Sequence, residues 1–186
     1  MALVDRVRNI LLAPRAEWPV IAGETATVPQ LYVGYVLILA AIGPIAMAIR
    51  MGVAGVAVAV IAYAIGLAVT YLLALIVDAL APTFGGERNF IQSLKLVAYS
   101  CTAAWIAGIM QVIPGVGGII GLIAAIYAFY TFHLGVPLLK KCPQEKAVAY
   151  TIVVVIGGIL LGVVLGGVLM SVFMGGGMGM MGLGMQ

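Results

Sequence analysis

Charge is the scarcest resource in this sequence. Of 186 residues, nine are Lys or Arg, six are Asp or Glu and one is His; charged residues make up 8% and hydrophobic ones 65%. A soluble domain carries about 25% charged residues. So few charges cannot cover a water-facing surface, which excludes an ordinary soluble domain and points to an integral membrane protein. Cysteine is nearly absent too: Cys101 lies in an apolar run and Cys142 in a charged loop, which is no disulfide framework. A single histidine, His133, with no H-x-x-H and no cysteine pair nearby, makes no zinc site and reads as a hydrogen-bonded packing residue. The serines are Ser93, Ser100 and Ser171, and none sits in a G-x-S-x-G turn, so a serine nucleophile has no support. Neither a phosphate-binding loop nor a dinucleotide fingerprint is present. No cofactor, no metal and no nucleic-acid partner is expected, and the chain is not expected to be an enzyme.

What the sequence has in abundance is long apolar runs. At roughly 20 residues per crossing, five fit: about 30–49, 53–77, 93–113, 117–137 and 148–173. The expected fold is all-α, a polytopic membrane bundle of five transmembrane helices with a short N-terminal interfacial helix. Pro44, after Gly43, should kink the first span, because proline removes one backbone bond and crowds the preceding turn. Gly158, Gly162 and Gly166 recur every fourth residue in the fifth span, a small-residue face on which helices pack.

Residues 1–29 form the N-terminal segment. Leu3, Val7, Ile10 and Leu11 share one helical face, but Asp5, Arg6 and Arg8 interrupt the run. It is therefore too short and too charged to span, and it does not read as a secretory signal. A helix in the membrane interface fits, with Trp18 at headgroup level. Residues 30–173 are the membrane domain. Residues 174–186, rich in glycine and methionine, are expected as a flexible tail. Its thioethers are soft ligands of the type that suits Cu(I), though low complexity alone accounts for them.

Basic residues fix the expected orientation. Five spans place eight of the nine Lys and Arg on one side and only Arg50 on the other. The N-terminus is then cytoplasmic and the C-terminus external, in the cytoplasmic (inner) membrane.

The most informative stretch is 82–118. A Gly85-Gly86 loop carries Glu87 and Arg88, then Asn89, Gln92, Ser93 and Lys95 open the third span. With Asp78 closing the second, they form a candidate polar cluster at the cytoplasmic mouth: Asp78, Glu87, Arg88, Gln92 and Lys95. Such a cluster suits an anionic headgroup or a partner's acidic segment. The competing reading is ordinary snorkelling charge at the interface.

Several short motifs recur in order: P-x-x-E-W from Pro14 to Trp18, GG-x-x-x-F-x-Q-x-L-K from Gly85 to Lys95, and A-Y-S from Ala98 to Ser100. Ile113-Pro114 with its glycines and Y-x-x-Y-x-x-x-x-G-x-P from Tyr127 to Pro137 complete the set. In this the chain resembles the Yip1 family of membrane proteins, in its prokaryotic branch. Thr102, Ala103 and Ala104 stand where members often have a proline, and the acidic motif used for Rab GTPases in the eukaryotic branch is absent. The resemblance implies a non-enzymatic protein of membrane organisation or trafficking. Expected partners are membrane lipids and another membrane protein or a second copy of the chain. The alternative is a small transporter or channel component, on the Pro44 kink, the glycine faces and the polar start of the third span. Against it stand the near absence of ionisable residues within the spans and the lack of an inverted repeat.

Overall fold

A computed structural model describes residues 2–113 and 115–182; for Ala54 and 168–182 the description is of the backbone alone. Among the described residues there is helix and no strand. Five helical stretches are long and apolar enough to cross a membrane: Val28–Met51, Gly55–Phe84, Phe90–Val112, Val116–Leu139 and Gln144–Gly167. They are called spans one to five.

Span three is the hub. Over half of its apolar window, 56%, is buried inside the chain, against 17–28% for the others. Leu94, Leu96, Val97 and Ala98 are all closed off from the surface. Its start is set by Asn89, whose side chain accepts from the Gln92 N–H at 3.2 Å. That satisfies one of the donors a helix N-terminus leaves open. Spans one and two are tied by tyrosines reaching backbone carbonyls: Tyr32 Oη donates to Leu67 O (3.0 Å) and Tyr63 Oη to Leu37 O (2.8 Å). Span one is irregular. Residues Tyr32–Val36 form a π-helical turn and the helix is interrupted at Ala41. Pro44 has no N–H to give to the carbonyl four residues back, and the interruption lies within one turn of it.

The N-terminal segment holds more than the one short helix expected. It is two helices, α1 (Leu3–Leu12) and α2 (Pro14–Gly23), joined at Ala13 with Pro14 at the first helical position. This hairpin is built into the bundle: Ile10, Trp18 and Ile21 are buried in the same core as span three. Trp18 is therefore not a headgroup anchor. The apolar face of α1 was legible; that it meets protein was not.

Two further expectations change. The final helix continues to Gly182, past the boundary placed at 173. Glycine lowers helix propensity without forbidding helix, and after Pro143 the chain has no proline to stop one. The glycine face of span five also packs differently. A Cβ on Gly158 would meet Leu73 Cδ1 at 3.4 Å, but on Gly162 or Gly166 it would meet nothing within 4 Å. Gly158 thus meets span two, while Gly162 and Gly166 form no interface within the chain. The close approach lies elsewhere: a Cβ on Gly108 would stand 2.9 Å from Gly43 Cα, where spans one and three touch. Pro114 and Met185, named in the sequence motifs and the methionine tail, lie outside the described residues.

Candidate functional site

The predicted cluster at the basic end of the bundle is two separate networks and one surface pair. The first joins spans two, three and four. Lys140, at the end of span four, is completely buried, and its Nζ donates to Asp78 Oδ1 (2.8 Å), Ser93 Oγ (2.7 Å) and Asn89 O (3.2 Å). Asp78 Oδ1 also accepts from the Asn89 N–H at 2.7 Å and from Ser93 Oγ at 3.0 Å. Burial pulls the Lys140 ammonium below the ordinary lysine value, and the Asp78 carboxylate beside it pulls the other way. A serine against a buried lysine can be a nucleophile elsewhere. Here Ser93 has no exposed surface and Asp78 shares the same ammonium, so no substrate carbonyl has access to it.

The Gly85-Gly86 loop closes over this network. Gly85 has φ +75°, a conformation that favours glycine. A Cβ on Gly86 would stand 2.8 Å from Lys140 O, and the next N–H, of Glu87, donates to that same carbonyl at 2.8 Å. The Gly-Gly pair is thus required by close backbone approach to the end of span four. Glu87 itself pairs with Lys141 at 2.7 Å on the surface, and Arg88 is exposed without an ion-pair partner among the described residues.

The second network locks the N-terminal hairpin. Lys95 makes no bond to Asp78 and serves a different purpose: its buried ammonium donates to Ile21 O (2.9 Å) and to Glu24 O. These are carbonyls at the end of α2, where a cation complements the helix dipole. Gln92 Nε2 donates to Ala22 O at 3.1 Å in the same way. Arg6 on α1 is buried and pairs with both Glu17 and Glu24. Its guanidinium carbon lies 5.6 Å from the Tyr99 ring centroid, within cation–π range. From span four, Tyr127 Oη donates to Leu11 O at 2.7 Å.

Packing completes the lock. A Cβ on Gly135 would meet Leu96 Cδ1 at 2.5 Å and Trp18 Cε2 at 2.9 Å. The Trp18 ring also lies edge-on to Tyr99, centroids 6.5 Å apart. Trp18 and Glu17 of P-x-x-E-W, Lys95 at the end of the Gly-Gly motif, Tyr99 of A-Y-S, and Tyr127 and Gly135 of the span-four motif therefore converge on one docking site. These residues, scattered in sequence, are neighbours in space.

The Yip1 domain matches residues 8–182. The chain belongs to the Yip1 family. No curated protein and no solved structure matches it. Together with five apolar helices, membership makes this Yip1 chain a multi-pass membrane protein of a family that is generally not enzymatic. Within the spans, Asp, Glu, Lys and Arg occur only at Arg50, Asp78, Lys95, Glu145 and Lys146, each within about two turns of a span end. A charged path across the membrane has no residues to line it, and the transporter alternative is not favoured. Arg6, Glu17, Glu24 and Lys140 are the members of these networks that sequence reasoning missed.

Proposed function

We propose that this Yip1 chain is a non-catalytic scaffold of the cytoplasmic membrane, with the N-terminal hairpin on the cytoplasmic side and the C-terminus outside. Its basic end engages anionic headgroups or the acidic segment of a membrane partner. The observation that carries this reading is the separation of buried from exposed cations. Arg6, Lys95 and Lys140 are buried and held by internal bonds. Arg8, Arg15, Arg88, Lys141 and Lys146 are exposed at the same end, and among the described residues only Lys141 of these makes an ion pair. Asp78, Gln92 and Lys95 then hold the surface in shape, while Glu87 and Arg88 form part of it. Each cation near an anionic leaflet contributes about 1 kcal/mol.

The experiment is reconstitution of the full chain in nanodiscs and vesicles. A scaffold of this kind is stabilised as anionic lipid is added, loses that response when the five exposed cations are changed to glutamine, and carries no solute. Solute flux in the vesicles, or a response to anionic lipid that survives the five changes, would overturn the reading.

A further inference from the structure

A cavity of about 590 Å³ opens beside the locked hairpin, between α1, the connection from α2 to span one, and span one itself. Its size is in the range of small-ligand sites. The polar side chains lining it are Arg6, Glu24, Thr25, Gln30, Tyr35 and Tyr99. It lies apart from the five exposed cations, and its argument does not depend on them.

The charges on its wall are one of each sign. Arg6 gives one terminal nitrogen to Glu17 and the other to Glu24, and a guanidinium has five N–H donors, so donors remain. Glu24 binds Arg6 through one oxygen, and its side chain is 39% exposed, which leaves carboxylate surface open to a ligand. Gln30 uses its oxygen to accept from the Thr27 N–H in a capping box, and its amide N–H₂ makes no bond among the described residues. Tyr99 is buried but for 7% of its surface, and its hydroxyl has no hydrogen-bond partner among the described residues. The π-helical turn Tyr32–Val36 carries Gly34 and Tyr35 past the cavity, and such turns are frequent at functional positions. Gly34 borders open space, with nothing within 4 Å of a Cβ built there.

An anion alone would face Glu24 and a cation alone would face Arg6. A ligand bearing both charges a few bonds apart satisfies each. A primary ammonium has N–H groups to donate to Glu24 and to the Tyr99 hydroxyl, and a quaternary ammonium has none. Gln30 is the third residue of span one, which puts the cavity at the depth where headgroups meet the hydrocarbon. The geometry points to a binding site for a zwitterionic phospholipid headgroup with a primary ammonium, its phosphate toward Arg6 and Gln30 and its ammonium toward Glu24.

The test is native mass spectrometry of the full chain in micelles with an equimolar mixture of phosphatidylethanolamine and phosphatidylglycerol of matched acyl chains. One charge-assisted bond to Glu24 should give phosphatidylethanolamine about tenfold higher occupancy. Gly34→Leu fills the cavity without removing any bond and should abolish the preference while the melting temperature holds. Glu24→Gln, which keeps the shape and removes the charge, should reduce it. Millimolar phosphoethanolamine should displace the lipid, which places recognition in the headgroup and shows that the free headgroup is also bound. Equal occupancy by the two lipids would overturn the proposal, as would a preference that survives Gly34→Leu. Displacement by inorganic phosphate as effective as by phosphoethanolamine would overturn it too, since the site would then read only an anion.

Discussion

Trp18 lies across the point on span four where a side chain is missing: a Cβ on Gly135 would stand 2.9 Å from its Cε2 and 3.0 Å from its Cζ2. A buried indole cannot swing aside as a flexible chain end could. Gly135→Ala should therefore lower stability by about 1–3 kcal/mol through overpacking. Gly121→Ala, in the same helix with open space around it, should cost nothing. Thermal unfolding of both variants in one detergent checks this, and matching melting temperatures would refute the docking.

The glycines of spans one, three and five give a second comparison. Gly108→Ala forces a Cβ to 2.9 Å from the Gly43 backbone and should lower stability by about 1–3 kcal/mol. Gly162→Leu, facing open space, should stay within about 0.5 kcal/mol of the parent in the dispersed chain. A large loss at Gly162 would show that something outside the chain covers this face.

For the ion pairs, burial decides the outcome. Removing one partner of a buried pair leaves the other charge uncompensated, at about 3–5 kcal/mol. Lys140 is fully buried while the Asp78 side chain is 20% exposed, so Lys140→Met should fall near the lower figure. The double variant Asp78→Asn with Lys140→Met should recover much of the loss. Lys141→Met breaks a pair whose side chains are 68% and 64% exposed and should change stability by less than about 1 kcal/mol. Chemical denaturation of the parent, the single variants Asp78→Asn, Lys140→Met and Lys141→Met, and the double variant measures this; additive losses at Asp78 and Lys140 would disprove the coupling.

Orientation is open to a direct assay. Reporter fusions after Arg50, after residue 116 and at Gln186 should report the external side, and fusions at Gly85 and Lys141 the cytoplasm. A cytoplasmic reporter at Gln186 contradicts the proposed arrangement.

The five spans were legible because hydropathy is a local property and each run exceeds the thickness of the hydrocarbon. The site was legible in its materials and not in its pairings. Lys140 and Lys141 are neighbours of the same type, yet a backbone turn with φ 51° at Lys141 separates a buried lysine from an exposed one. Nothing in the order of residues distinguishes them. Lys95 and Asp78 flank one loop, which suggests one cluster; the partner Lys95 has is α2, more than seventy positions away. The preference of indoles for interfaces points Trp18 to the headgroups. The signal that could have corrected it was Gly135, a glycine within the span-four motif whose reason appears only once the partner ring is known.

The distance along the chain between the hairpin and its dock has a consequence for biogenesis. Leu11 O waits for the hydroxyl of Tyr127, 116 residues later, and Trp18 waits for Gly135. Ribosomal synthesis delivers the hairpin well before span four, so Arg6 finds Glu17 and Glu24 at once, while the tryptophan has no Gly135 to pack against until span four has inserted. Seating of the hairpin is then a completion signal: a chain stalled after span three should display an accessible N-terminus to proteases and chaperones, and a finished chain should not.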